Sequence, residues 1–297
     1  MNSPRHRLAV DAPLAAGALV TLEGNPAHYL SHVLRLGVGD TVALFNRADG
    51  EWSAHIAAMR KKAVELRVVE CLRTAQPGPN LTVCFAPIKG GRLETIIEKA
   101  TELGARVLQP VITQRTIVTK VNLARADAIA REAAEQCERI DWPEIREPVT
   151  LAQLLGNWPA ELPLFYGDES GEGVAMTQLI NESARPHPEF SQEKIQTSPK
   201  GEVFIGQDAA LDQPLPWERS KSPFAISGEG VRRWAILAGP EGGFSSEEFA
   251  MLRRVKSATG VGLGPRILRA DTAIIALCTL TLAAFGDWHQ PPRFVDS

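Results

Sequence analysis

The segment Ala238–Ser245, AGPEGGFS, follows the apolar run WAIL and precedes SEEFAMLRRV, whose apolar residues recur at helical spacing. Three glycines and a proline turn the chain sharply and leave backbone N–H and C=O groups open to a ligand, with few Cβ atoms in the way. Phosphate chemistry does not suit this loop. A Walker loop needs a lysine against the phosphates and a dinucleotide fingerprint needs G-x-G-x-x-G after the first strand, whereas Pro240 and Glu241 stand here. A carboxylate repels a polyphosphate, so a neutral or cationic ligand fits better. Residues 262–273, GLGPRILRADTA, repeat the arrangement of apolar residues, glycines, proline and helix. On neighbouring strands of one sheet, the two loops would share a ligand-binding rim; as ordinary strand-to-helix turns they would bind nothing. Spacing leaves both readings open.

Other chemistry-bearing residues assemble less well. Ser245, His28, His32 and Asp168 form no recognisable triad, and no G-x-S-x-G elbow is present. His28 and His32 lie four apart on a short helix, but without a third ligand they read as packing or surface histidines, and no metal is expected. Cys71, Cys84, Cys137 and Cys278 lack C-x-x-C spacing and read as buried thiols in a reducing cytoplasm. Lys89 and Arg92 precede or open a helix, where the dipole favours acids; they face an anionic partner such as an RNA backbone or mark a solvated helix end. Glu132, Glu135, Gln136 and Arg139 lie on one polar helix side, which reads as solvated or as a subunit contact.

The elements that must position these loops follow from periodicity. Residues 7–70 hold short Val- and Leu-rich runs broken by Gly and Asp, the pattern of a small β-barrel or sandwich. One helix interrupts them in NPAHYLSHVLRLGVGD, with Asn25 as cap, Pro26 in the first turn and Gly37 as stop. A linker is expected at 73–80. Beyond it LTVCFAP, ARVLQPVI, LPLFYGDE and WAILAG alternate with helical segments, which implies an α/β layer with a mostly parallel sheet. In KGGRLETIIEKATELG, Leu93, Ile96, Ile97, Ala100 and Leu103 share a face and Gly104 closes the helix. The stretch 181–230, rich in Pro, Ser, Gln and charge, reads as a long exposed loop, partly disordered, or as an ordered flap over a site.

The chain has 297 residues, 44% of them apolar, 23% charged, and a net charge of −3. That suffices for one large domain or two ordinary ones, and no apolar stretch is long enough to span a bilayer. The charge neither supports nor excludes RNA, because binding depends on a local patch.

HYLSHVLRLGVGD, KGGRLETIIEKATELG, EAAEQCER, GPEGGFSSEE and LGPRILRADTA, in this order, resemble the RsmE family of ribosomal RNA methyltransferases within the SPOUT superfamily. The resemblance covers nearly the whole chain outside 181–230. It implies an N-terminal PUA-like RNA-binding β-barrel over 1–72, a linker over 73–80, and a C-terminal SPOUT α/β domain over 81–297 whose backbone forms a trefoil knot. It further implies a cytoplasmic homodimer, without metal, that moves a methyl group from S-adenosylmethionine to N3 of a uridine in 16S ribosomal RNA of the small subunit. A catalytically inactive ribosome-assembly factor, or a SPOUT enzyme acting on another RNA, are the competing readings.

The same resemblance assigns residues. Leu237, Ala238, Gly239, Pro240, Glu241, Gly242 and Gly243, with Leu263, Gly264, Arg266, Ile267, Leu268, Arg269 and Ala273, would line the cofactor pocket. Removing the N3 proton needs a base and a nearby positive charge; Glu241 is the expected base and Arg266 and Arg269 the charge stabilisers. Arg35, Lys89, Arg92 and Arg139 are expected on the RNA. Asp271 stands where the family usually has Glu and is expected only to cap its helix.

Overall fold

The computed structural model describes residues 4, 6–75, 78–183 and 233–288. The stretch read as a loop or flap lies outside the described residues beyond position 183.

Alternating apolar residues near the N-terminus build a first sheet of β1 (Arg7–Ala9), β2 (Leu19–Glu23), β3 (Thr41–Asn46), β4 (Gly50–Arg60) and β5 (Ala63–Arg73). Its order is β1-β3-β4-β5-β2, antiparallel except for the β1–β3 pair. β4 and β5 form a long hairpin closed by the two residues Lys61 and Lys62, since Arg60 pairs with Ala63. Leu8, Val20, Leu30, Val42, Leu44, Ile56 and Leu66 fill its core. β1 and β2 stand at opposite edges with no ladder between them among the described residues, so the strands of the expected barrel are paired as an open sheet.

The predicted helical insertion is present but shorter and differently capped. α1 (Asn25–His28) has Gly24, not Asn25, at its N-cap, and Pro26 sits in the first turn as expected. The chain then widens into a π-helical stretch at Tyr29–Val33. It ends before Gly37, because Arg35 itself adopts a left-handed conformation at φ 57°.

The second sheet is made of β6 (Asn80–Phe85), β7 (Val107–Ile112), β8 (Glu144–Ile145), β10 (Leu164–Gly167), β11 (Val174–Ala175), β12 (Arg233–Ala238) and β13 (Ala258–Gly262). Its order is β11-β13-β10-β12-β6-β7-β8, every pair parallel, and β9 (Val149–Thr150) pairs with β7. A parallel sheet needs apolar cover on both faces. One face carries α2 (Arg92–Glu102), α3 (Leu123–Gln136) and α7 (Ala270–Phe285), the other α6 (Ser246–Arg254) and α4 (Leu151–Gly156). Along α2, Ile96, Ile97 and Ala100 are buried, Leu93 and Leu103 pack on the same core, and Gly104 closes the helix at φ 98°. The short α4 and α5 (Met176–Ser183) escaped the sequence reading, because each carries too few turns for a clear period.

The two sheets meet through polar contacts. Arg7 of β1 donates to Glu51 and to the carbonyls of Ala134, Glu135 and Arg139 at the end of α3. Arg73 donates to the same Glu51 at 2.6 Å and to Glu138 O at 2.9 Å. Two of the four cysteines depart from expectation: Cys84 and Cys278 are buried, with thiols pushed up to about 12 by desolvation, whereas Cys71 and Cys137 are exposed. Among the described residues no helix is long and apolar enough to cross a membrane.

Candidate active site

The apolar run Trp234–Ala238 is buried as β12, and the AGPEGGFS loop turns out from its C-terminal end. Gly243 N donates to Pro240 O at 2.8 Å, which closes the turn. α6 then starts under a reciprocal cap: Ser245 Oγ accepts from Glu248 N at 3.2 Å and Glu248 Oε2 accepts from Ser245 N at 2.9 Å. The other Glu248 oxygen accepts from Gln114 N at 2.7 Å, tying the loop to the chain beyond β7. From that same segment Arg115 donates to Gly242 O at 2.5 Å and to Phe244 O at 3.3 Å. Phe244 is buried edge-on to Phe249 at 5.6 Å. The loop is therefore held from three sides.

Between the two glycine-rich loops lies a third. β12 and β13 are not neighbours as expected: β10 pairs with both, so the loop after β10, Asp168–Gly173, emerges between them. All three strands are parallel, and their carboxyl ends share one rim, where open α/β sheets place ligands. Buried Asp168 accepts from Ser170 N at 2.8 Å and from Ser170 Oγ at 2.5 Å. A Cβ at Gly260 would stand 2.8 Å from Asp168 Oδ2, and one at Gly243 only 1.8 Å from Glu169 Oε1. Gly243 also has φ 68°, so both sterics and backbone demand glycine there. Desolvation raises the Glu169 carboxyl above the usual range, partly offset by hydrogen bonds from its own and the Phe244 backbone N–H.

The third wall is looser. Beyond β13 the chain runs through Gly264 at φ 97° to α7, with Arg266, Ile267 and Arg269 exposed and Leu263 and Leu268 half-buried. Ile267 is 97% exposed. Arg269 is the N-cap residue of α7, so Asp271 lies inside the first turn and does not cap it. Its Oδ1 is buried without a hydrogen-bond partner among the described residues.

The expected RNA-facing arginines and lysine divide. Arg92, at the start of α2, reaches Glu241 at 3.6 Å and so borders the loop. Lys89 and Arg35 are exposed. Arg139 is committed elsewhere: it donates to Thr101 O, to Ala105 O at 3.1 Å and to Asp141 at 2.8 Å, with its side chain 14% exposed. That arginine fastens the end of α3 to the end of α2, where an RNA contact was expected of it.

Residues 75–198 and 202–282 match the model of an RNA methyltransferase domain, and residues 22–69 that of an RNA methyltransferase PUA domain. Ribosomal RNA small subunit methyltransferase E of Synechocystis sp. is 30% identical over 270 residues, covering 90% of this chain and 74% of that protein. The protein of the same description from Rickettsia conorii is 29% identical over 271 residues, covering 91% and 92%. This chain belongs to the RsmE family.

Its fold agrees with solved structures. A Legionella pneumophila chain, described as a methyltransferase and solved with the bound cofactor SAM, superposes with TM-score 0.69 at 26% identity, covering 97% of this chain and all of that one. An RsmE of Neisseria gonorrhoeae bound to S-adenosyl methionine gives TM-score 0.68 at 24% identity. The N-terminal sheet is thus the PUA-like part of this RsmE-family methyltransferase, and the parallel sheet its methyltransferase part. Sequence reasoning missed Glu169, Arg115 and Glu248 around these loops. For Glu169 a signal existed: GDESGEG follows a buried strand and is as glycine-rich and acidic as the loops that were noticed. For Glu248 the S-x-x-E spacing from Ser245 signals the cap, though not its bond to Gln114 N; Arg115 carried no signal, because its partners are backbone groups of a distant segment.

Proposed function

We propose that this chain transfers the methyl group of S-adenosylmethionine to N3 of a uridine in 16S ribosomal RNA of the small subunit. The observation that carries the reading is the shared rim of three loops, with Gly243 pressed so closely on Glu169 that no Cβ fits. The donor is cationic at sulfur and carries adenosine but no phosphate. A rim with Asp168, Glu169 and Glu241 and no lysine suits it, and the unpartnered Asp271 Oδ1 is an acceptor that a ligand N–H or O–H would satisfy. Backbone groups of Leu237, Ala238, Gly239, Pro240, Gly242 and Gly243 would hold it from one side. Leu263, Gly264, Ile267, Leu268 and Ala273 would hold it from the other. When bound, the cofactor supplies an electrophilic methyl group.

The chain's own residues prepare the acceptor. N3 of uridine lies on the pairing edge and bears a proton, so the base must be unpaired or turned out of its stack, and the proton must leave. Glu241 takes that proton, with Arg92 at 3.6 Å orienting its carboxylate. Arg266 and Arg269 face the charge that develops on the uracil oxygens, and both are exposed, free to meet a substrate. Arg35, Lys89 and Arg92 contact the RNA backbone.

The same reading takes residues 1–72 as the RNA-binding unit, 73–80 as linker and 81–297 as the catalytic unit. It makes the chain a cytoplasmic homodimer with a trefoil knot. Support for the knot is the position of β13, inserted between β10 and β11, which are consecutive along the chain. The test is incubation with labelled S-adenosylmethionine and small subunits from cells lacking this protein, followed by nucleoside mass spectrometry. Gain of 3-methyluridine at one site is the expected result. A different methylated nucleoside would overturn the uridine N3 assignment, and bound RNA without methylation would favour an assembly factor.

A further inference from the structure

The first sheet is fastened to the second around one buried carboxylate. Glu51, at the start of β4, lies across the ladder from Arg73 of β5, which donates to one of its oxygens at 2.6 Å, and Arg7 of β1 donates to the other. The Glu51 side chain is 4% exposed and that of Arg7 8%. Beyond the carboxylate the two guanidiniums reach a single segment of the other unit. Arg7 donates to Ala134 O at 3.2 Å, Glu135 O at 3.0 Å and Arg139 O at 2.7 Å, and Arg73 donates to Glu138 O at 2.9 Å. Ala9 N returns to the same place, donating to a Glu135 carboxylate oxygen at 2.9 Å. These acceptors include the last carbonyls of α3, whose final turn carries no basic residue, so the cation that a helix end favours comes from the first sheet.

Glu51 lets both arginines act at once. Each of its oxygens accepts one Nε–H, which leaves the Nη groups of Arg7 and Arg73 turned to the carbonyls. Without its charge the two guanidiniums would repel each other in a largely buried site. The same segment also leads to the methyl-transfer rim. Arg139 donates to Thr101 O and to Ala105 O at 3.1 Å, at the end of α2. From there α2 runs about 16 Å, at the helical rise, to Arg92, which reaches Glu241 at 3.6 Å. Joint and helix together set where the first sheet stands relative to the rim.

We propose that Glu51 is a positioning residue for methyl transfer: by holding Arg7 and Arg73 on residues 134–139 it fixes the PUA-like unit on the methyltransferase unit, so that an RNA spanning both presents its uridine at the rim. The proposal rests on RNA being the substrate, and adds the requirement that the two units stand in one fixed orientation. Glu51 belongs to the first sheet and acts only through its partners. A misplacement of about 1 Å at a reacting centre can cost on the order of a hundredfold in rate, so a small rotation at the joint is enough to be read in turnover.

The test uses the full chain with labelled S-adenosylmethionine and small ribosomal subunits, beside calorimetry of cofactor binding and of thermal unfolding. Glu51→Gln keeps the shape of the side chain but offers one acceptor oxygen to two guanidiniums. It is expected to lower kcat about tenfold or more and to leave cofactor affinity within about twofold of the wild type. Unfolding should resolve into two transitions where the wild type shows one, because the units no longer unfold together. If that variant fails to fold, Arg73→Lys keeps the charge but cannot serve Glu51 and Glu138 O with one fork, and should lower kcat about threefold at unchanged cofactor affinity. Full turnover in the folded variant would overturn the proposal. So would a parallel fall in turnover and cofactor affinity, the mark of a residue that only holds the fold. A wild-type chain that binds S-adenosylmethionine but methylates no RNA would remove the RNA reading and this proposal with it.

Discussion

The two glycine-rich loops read almost alike in sequence, yet the structure treats them in opposite ways. The loop after β12 is fixed by side chains from three other segments: Arg115 on the carbonyls of Gly242 and Phe244, Glu248 on Ser245 N and Gln114 N, and Glu169 against Gly243. The loop after β13 has Ile267 97% exposed, Arg266 and Arg269 in solvent, and an unpartnered Asp271 oxygen at its end. One wall is built before any ligand arrives. The other presents groups without partners among the described residues. A preformed wall contributes affinity by sparing the cost of ordering, while an open wall is suited to contacts made only when substrate is present.

That contrast breaks most sharply at Gly243. A valine there would need φ near 68°, an outlier for a β-branched residue, with its Cβ 1.8 Å from Glu169 Oε1. We expect Gly243→Val to cost about 2–4 kcal/mol of stability and to abolish S-adenosylmethionine binding, read by thermal unfolding and titration calorimetry. Unchanged cofactor affinity would show that this wall is a turn and nothing more. Glu248→Ala comes next. It removes the acceptor of two backbone N–H groups and one half of the capping box, at an expected cost of about 2–3 kcal/mol. Hydrogen exchange should then speed up at Gln114 and Ser245 together, a pairing that no local defect in α6 would produce.

How much of this was legible depended on the range of the interactions. The face of α2, the Gly104 stop and the alternation of strands and helices all follow from local period and turn chemistry, and they appear in the structure as read. Strand order did not follow. The apolar runs at 164–167 and 234–238 look equivalent in sequence, and only the packed sheet places β10 between β12 and β13. Asp271, expected as the cap, lies in the first turn, because the chain enters α7 two residues earlier, at Arg269. Arg139 illustrates the same limit: its residue type suggested RNA, and its tertiary partners are three groups of the protein itself.

A subtler probe of the built wall is Glu169. Its folded-state carboxyl is raised by burial, so ionising it costs more in the folded chain than in the unfolded one. Its favourable contribution is therefore present below the ordinary Glu range and is lost as pH rises through the raised value. Glu169→Gln should therefore flatten the decline in stability over that interval, leaving the variant slightly more stable than the wild type at neutral pH. If the carboxylate faces the cationic cofactor, the same variant should bind S-adenosylmethionine several-fold more weakly at neutral pH, with a smaller loss in acid. Parallel loss at all pH values would point to altered packing instead.

The smallest expected change in stability belongs to the open wall, and it separates the two loops most cleanly. Arg266→Ala and Arg269→Ala remove exposed side chains with no described ion-pair partner, so each should leave unfolding within about 0.5 kcal/mol of the wild type. Their effect should fall on turnover. Charge developing on a uracil oxygen is met only in the transition state, and loss of such a contact lowers kcat with little change in cofactor affinity. A tenfold or larger fall in methylation, at unchanged stability and unchanged S-adenosylmethionine binding, would assign these arginines to the substrate. Loss of cofactor affinity would move them to the pocket, and loss of stability would mean that this wall, too, is held by contacts within the chain.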